Sequence, residues 1–380
     1  MRRGILGLTG AALACALATT TAAAAPPAGF YGACAGALYS RYDSAQRTRA
    51  MDAMVRAGIG TVRLDLQWGT VEAKKGRFTW GRWDTLVEQL ARKGITMAPI
   101  ADYSVDWAQP FPYNSTVDNQ FVPPKDTDAY ARYAAAIAKR YGPGGDFWTA
   151  RPDVPAKPIR SVEIWNEPNH EYYWQPSPSP SAYAAMYRKA RSAIRAANPK
   201  VIALVGGLAQ PQNASGSEVI EPTKFLSGMG STTIDGVAVH AYGGPVDSVL
   251  GAVRRARTWM DGHGASGKPL LLNEWGFFPA DGLSEGERAD RYRQTAIALA
   301  GMVDTHGLTG TSPYSWDGSP SSLDLANVDA LTARGQAYAD GIAGKGPAPE
   351  PAPTGPSDPP PPSSDPNPLW PLPLPLGNGR

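Results

Sequence analysis

Strand-like and helix-like runs alternate through most of this chain with almost no interruption, and that alternation restricts the fold more than any other feature. Phe30 to Cys34 is a short apolar run, followed by helical spacing from Ser44 to Gly58, with Met51, Met54 and Val55 on one face. Thr61 to Leu66, Ile95 to Tyr103, Val162 to Asn166 and Val201 to Leu208 read as the next four strands. Trp83 to Lys93, Asp126 to Tyr141, Ser181 to Ala197 and a shorter stretch from Pro222 to Gly228 read as the helices after them. Gly236 to Ala241, Leu270 to Glu274 and Thr309 to Trp316 complete the strands. The helices Val246 to Gly262, Ser284 to Thr305 and Ala326 to Ile342 close the units. Eight strand–helix units in strict order require parallel strands with right-handed crossovers. The expectation is an α/β chain forming one (β/α)8 TIM barrel, with a doubly wound open sheet as the alternative. A barrel puts its chemistry at the C-terminal strand ends, and Arg63, Tyr103, Glu167, His240, Tyr242, Glu274 and Trp316 all fall near such ends.

The two ends of the chain read differently. Residues 1–25 have a charged start at Arg2 and Arg3, an Ala-rich apolar run, and a small-residue cleavage site at Ala23-Ala24-Ala25. This predicts a signal peptide and secretion. Ala12-Leu13-Ala14-Cys15 faintly matches a lipoprotein cleavage box, but the apolar run before it is short. From Gly346 onward proline recurs every few residues, which favours polyproline II and cannot pack a core. Residues 26–345 therefore form the expected catalytic domain, and 346–380 an expected disordered tail.

Loss of the leader removes Arg2 and Arg3, leaving 34 basic residues against 34 acidic ones. A neutral chain is a poor fit to nucleic acid or to a polyanion. Cys34 is then the sole cysteine, so no internal disulfide forms. It is expected to pack as a small apolar group. His170, His240, His263 and His306 lack metal-ligand spacing. No phosphate loop or dinucleotide fingerprint occurs, so no cofactor is expected. Asn114-Ser-Thr and Asn213-Ala-Ser are formal glycosylation sequons.

Two stretches carry the chemistry. Ser161-Val-Glu-Ile-Trp-Asn-Glu-Pro-Asn169 is a buried-strand pattern that proline terminates just past Glu167. Lys268-Pro-Leu-Leu-Leu-Asn-Glu-Trp-Gly276 places Glu274 at a second strand end. Glycoside cleavage with retention needs two carboxyl groups about 5–5.5 Å apart, one protonated and one ionised. Trp165 and Trp275 flank the two glutamates and could exclude solvent. Glu163 shares a face with Glu167 but sits deeper, which suits a structural hydrogen-bonding role.

The Glu163-Ile-Trp-Asn-Glu-Pro-Asn169 stretch resembles the acid/base signature of clan A retaining (β/α)8 glycoside hydrolases, above all family 39. Asn-Glu-Trp-Gly around Glu274 is more similar to family 5, the cellulase family. The resemblance implies Glu167 as acid/base after strand four and Glu274 as nucleophile after strand seven. It further implies that Asn166 bonds the sugar 2-hydroxyl and that Arg63 steadies the nucleophile. His240 and Tyr242 correspond to the pair on strand six, with the tyrosine bonding the nucleophile, and Trp316 to the aromatic floor after strand eight. Asp102-Tyr103 departs from the family 5 pattern, which often has histidine there. Trp68, Trp107 and Trp174 are loop aromatics that could stack on sugar faces.

The reading is thus a secreted, metal-free retaining hydrolase of a polysaccharide or oligosaccharide. It is expected to be monomeric, without a membrane span, and endo-acting, because the loops after strands three and four carry Trp107, Phe111, Tyr113, Tyr172, Tyr173 and Trp174. An exo-acting β-glycosidase, a transglycosylase and a catalytically silent carbohydrate-binding protein are the alternatives.

Overall fold

The computed structural model describes residues 25–109, 119–211, 218–279, 282–318 and 323–345. The leader, Cys15, Phe111, Tyr113, both sequons and the proline-rich tail lie outside the described residues.

Eight parallel strands run in sequence order around one sheet: β1 (Gly32–Cys34), β2 (Thr61–Gln67), β3 (Thr96–Asp102), β4 (Ser161–Ile164), β5 (Ile202–Leu208), β6 (Val237–Tyr242), β7 (Leu270–Gly276) and β8 (Leu308–Thr311). A parallel bridge between Tyr31 and Thr311, supported by Thr311 N–H donating to the Phe30 carbonyl, brings β8 back to β1. This is the (β/α)8 barrel rather than the open sheet.

The helices follow as α1 (Ala37–Ser40), α2 (Ser44–Arg56), α3 (Trp68–Val71), α4 (Gly81–Arg92), α5 (Thr127–Tyr141), α6 (Asp146–Ala150), α7 (Pro180–Ala197), α8 (Pro222–Gly228), α9 (Val246–Gly262), α10 (Glu285–Ala300), α11 (Met302–His306) and α12 (Ala333–Ile342). Their starts have local causes. Asp43 and Gln46 form a capping box on α2, as Ser284 and Glu287 do on α10. Pro180 sits in the first turn of α7, where its missing N–H has no partner to lose. On α4, Leu86, Val87, Leu90 and Ala91 are buried, as their spacing requires. Burial of each larger side chain contributes roughly 1.5–3 kcal/mol.

Three boundaries depart from the sequence expectation. The helix expected over Ser284 to Thr305 is two helices that meet at Gly301, a poor helix former. Ladder pairing in β8 stops at Thr311 rather than Trp316, since Pro313 carries no N–H. The helix expected from Ala326 begins at Ala333, because a small antiparallel hairpin, β9 (Ala326–Asn327) with β10 (Ala330–Leu331), occupies its start. Val328 turns that hairpin at φ 53°; its N–H donates to Asp317 and its carbonyl accepts from the Trp316 indole. Tertiary bonds outweigh helical spacing there.

Alternation on β2 fixes the layers. Val62, Leu64 and Leu66 are buried against the helices, while Arg63, Asp65 and Gln67 share the opposite, inward face. Below Arg63, Glu163 and Asn273 a cavity of about 270 Å3 opens toward the N-terminal mouth, among Thr61, Met97 and Leu271.

Candidate active site

Glu167 owes its position to a broken strand end. β4 stops at Ile164, two residues earlier than its pattern suggests. Trp165 and Glu167 then adopt left-handed backbone, with φ of 67° and 44°. Such conformations cost on the order of 1–3 kcal/mol each and persist where neighbours hold them. Here the Trp165 side chain is fully buried with its indole N–H on the Tyr173 carbonyl, and the Glu167 N–H donates to the Gly207 carbonyl.

Glu274 owes its position to an irregularity in β7. Val239 pairs with Leu272, but His240 pairs with Glu274, so Asn273 is skipped. Asn273 and Glu274 consequently both reach inward, which strict alternation forbids and a bulge permits.

The inward side chains form one connected network. Arg63 donates Nε and Nη2 to the two oxygens of Glu163, each at 2.9 Å, and Nη2 also reaches Asn166 Oδ1 at 2.8 Å. Its Nη1 donates to Glu274 Oε1 at 2.5 Å. Glu163 also accepts from the Gly207 N–H and from Asn273 Nδ2, both at 2.7 Å. Tyr242 donates its hydroxyl to Glu274 Oε2 at 2.5 Å. His240 Nδ1 lies 2.6 Å from Glu167 Oε1, a hydrogen bond whose donor depends on the tautomer. Glu167 Oε2 has no protein partner among the described residues.

Burial pushes both catalytic-candidate carboxyls up, but their neighbours differ. The Arg63 guanidinium and the Tyr242 hydroxyl pull Glu274 back down. Glu167 is drawn down by its hydrogen bond to His240 and pushed up again by the nearby Glu274 carboxylate, while burial depresses the imidazole itself. Two carboxyls in unlike surroundings acquire unlike protonation. Oxygens of Glu167 and Glu274 and a nitrogen of His240 all lie within 4.8 Å of one another. That trio could converge on a cation, but both Glu274 oxygens already accept from Arg63 and Tyr242, and a metal would displace a guanidinium.

Glycine at 207 makes this packing possible. A Cβ there would stand 1.9 Å from His240 Nε2. Gly207→Ala is therefore expected to push the imidazole off Glu167, destabilise the fold by about 1–3 kcal/mol and cut kcat by about 100-fold. Thermal melting and kinetics on one preparation check both.

The structure brings together Arg63, Asn166, Glu167, His240, Tyr242 and Glu274. Tyr103 adjoins them: it is buried against Phe121, Trp165 and Tyr173, and its hydroxyl meets the Asn166 side chain. Trp316 lies past β8 at 1% exposure, its indole N–H on Val328. Trp68 is not a loop aromatic. It continues the outward face of β2 into α3, is fully buried, stacks on Tyr133 and donates to Glu72. A fully buried ring has no face for a sugar. Trp174, at 3% exposure, packs on Trp165 and Tyr183 instead. Arg63 sits mid-strand rather than at an end. Cys34 is buried as expected and donates its thiol to the Asn273 carbonyl. Sequence reasoning missed Asn273 and Gly207; Asn273 stands next to Glu274, but only a register shift turns it inward.

The sequence matches the family model for Cellulase (glycosyl hydrolase family 5) over residues 23–321. No curated protein sequence matches the chain. Among solved structures, a GH39 enzyme from Xanthomonas axonopodis pv. citri is similar at a TM-score of 0.60 and 19% identity, covering 85% of this chain and 68% of that one. A monomeric β-xylosidase from Caulobacter crescentus aligns at a TM-score of 0.57 and 19% identity, covering 83% and 69%. A family 5 mannosidase from Rhizomucor miehei aligns at 0.56 and 12% identity, covering 84% and 93%. These likenesses extend the barrel to families 39 and 5 of clan A. The chain belongs to glycosyl hydrolase family 5, the cellulase family, and is a retaining O-glycosyl hydrolase.

Proposed function

We propose that this chain is a secreted, endo-acting polysaccharide hydrolase that works by double displacement, with Glu167 as acid/base and Glu274 as nucleophile. The observation that carries the reading is the approach of the two carboxylates to within 4.8 Å. That approach of one oxygen from each group fits the retaining spacing of about 5–5.5 Å better than the ~6.5–9.5 Å of an inverting enzyme.

Glu274, ionised against Arg63 and Tyr242, attacks the anomeric carbon. Glu167 gives its proton to the leaving oxygen, and its unpartnered Oε2 is the free oxygen for that transfer. In the second step Glu167, now a base, takes a proton from water as water displaces Glu274. Asn166, fixed by Arg63 and beside Tyr103, is placed to bond the sugar 2-hydroxyl. Trp316, at 1% exposure and bonded to Val328, offers no free ring face there and serves to hold the β9–β10 hairpin rather than to floor the subsite.

The endo reading is supported by Trp107 and Tyr172, aromatic residues that are only half-buried on the loops after β3 and β4. Secretion rests on the leader sequence. No helix among the described residues is long and apolar enough to cross a membrane. The similar Caulobacter enzyme is monomeric, which supports a monomer here.

The test is a reducing-end release screen with β-glucans, xylans, mannans, galactans and microbial exopolysaccharides. Mixed oligosaccharides early in the reaction support endo action, and monosaccharide alone contradicts it. Activity is expected to be unchanged after dialysis against a chelator; loss restored by a divalent ion would reassign the carboxylate–imidazole trio to metal binding.

A further inference from the structure

Two acidic side chains near the site have no part in the double displacement. Asp65 lies on the inward face of β2, two residues past Arg63, yet it remains exposed. An inward residue of a barrel strand stays exposed only where the mouth is open. Asp102, the last residue of β3, is paired with Gln67 in the ladder and so faces inward too. It is fully buried, and neither of its oxygens has a donor among the described residues.

A buried, ionised, unpartnered carboxylate is too costly to persist, so Asp102 must hold a proton. Burial, then the Asp65 carboxyl within hydrogen-bonding reach, push it well above the ordinary carboxylate range. Protonated Asp102 becomes a donor, and Asp65 is the acceptor beside it. That contact holds Asp65, which remains exposed and so keeps acceptor capacity for a ligand. Asp65 receives no hydrogen bond or ion pair from any other described residue. It stands two residues beyond Arg63 on the same inward face of β2, and Arg63 donates to Glu274, so Asp65 lies on the mouth side of the nucleophile.

We propose that Asp65, oriented by a proton on Asp102, grips sugar hydroxyls next to the scissile bond and restricts that subsite to neutral or cationic sugars. A carboxylate has two acceptor oxygens, and neighbouring sugar hydroxyls present two donors; hydrogen bonds to an ionised group are the stronger kind. The same charge works against a uronic acid. Asp65, Glu163 and Glu274 gather three carboxylates here, and Arg63 is the only cation in hydrogen-bond contact with them among the described residues. A uronate would add a fourth. Asp65 is a substrate-binding residue in this account, and Asp102 a positioning residue.

The inference rests on the functional reading above, and the experiment separates the two. Wild type, Asp65→Asn, Asp65→Ala, Asp102→Asn and Asp102→Ala are assayed on the polysaccharide panel and on 4-nitrophenyl β-glucoside, β-mannoside, β-xyloside, β-glucosaminide and β-glucuronide. Labelling of Glu274 by a 2-deoxy-2-fluoroglycoside reports whether each variant keeps its reacting carboxylates. Wild type is expected to favour a neutral or amino sugar over the glucuronide. Asp65→Asn and Asp65→Ala are expected to lose about 10- to 100-fold in kcat/KM on the best substrate, mainly through KM, and to narrow the gap to the glucuronide. Asp102→Asn keeps an N–H donor for Asp65, so it should restore most of what Asp102→Ala loses; equal losses would remove the positioning role. A wild type that labels and hydrolyses, paired with an Asp65→Ala variant of equal kcat/KM, overturns this inference alone, as does a preference for the glucuronide. A wild type that neither labels nor hydrolyses any of these substrates overturns the functional reading beneath it.

Discussion

Glu274→Gln is expected to reduce kcat by at least about 10,000-fold while the protein stays folded. Glutamine keeps the shape of the side chain and one acceptor oxygen. It cannot attack the anomeric carbon, and it no longer balances the Arg63 charge. The substitution leaves Arg63 with Glu163, where two hydrogen bonds at 2.9 Å remain. The guanidinium therefore stays paired, and the fold should tolerate the change. Rate measurements with an activated aryl glycoside, alongside thermal melting, check both halves. A variant with a near-normal rate and product anomer would remove Glu274 from the mechanism.

Glu167→Gln is expected to behave differently, and the difference is diagnostic. General acid–base help contributes about 100- to 10,000-fold, so the loss should follow how badly the leaving group needs a proton. On a polysaccharide the full loss should appear. On a 2,4-dinitrophenyl glycoside the first step needs no acid, so the glycosyl-enzyme should form and then accumulate. Azide, which needs no base, should release it as a glycosyl azide.

The pH profile supplies a second sign. Burial raises the Glu167 carboxyl above its ordinary value. Its proton is required for the first step, so activity should fall as pH rises through that raised value. This alkaline limb should appear on the polysaccharide and be absent on the 2,4-dinitrophenyl glycoside, whose first step needs no acid. An alkaline limb that survives unchanged would assign it to another group.

Much of this architecture was legible in the sequence because the signals were local. The apolar run before Asn166-Glu-Pro and the run Leu270 to Leu272 each mark a strand buried on both faces. The α8 and α9 boundaries coincide with their patterns, and His240 and Tyr242 share a face by simple alternation. What was not legible depends on contacts between distant segments. Asn273 points inward because β7 slips register against β6, and nothing in Leu-Asn-Glu-Trp announces a slip. Gly207 reads as an ordinary strand glycine until the His240 ring is seen against it. Trp68 reads as a loop aromatic because the strand pattern ends at Leu66; the outward face continues through it into the core. Asp102 drew notice only for failing to be histidine, and its meaning emerges from Asp65 on the neighbouring strand.

The hairpin before α12 carries the same lesson. Ala326 to Leu331 has acceptable helical spacing, but Trp316 and Asp317 hold Val328 in a turn. A pattern summed over one segment cannot register bonds supplied by another.

The central claim is that Glu274 forms a covalent bond to the sugar. The most direct measurement is mass mapping of the protein after incubation with a 2-deoxy-2-fluoroglycoside of the oligosaccharide that the release screen identifies. The account predicts one added glycosyl mass on the peptide that contains Glu274, and none in Glu274→Gln. A label on any other residue, or an unlabelled enzyme that hydrolyses the parent glycan with inversion, would contradict it.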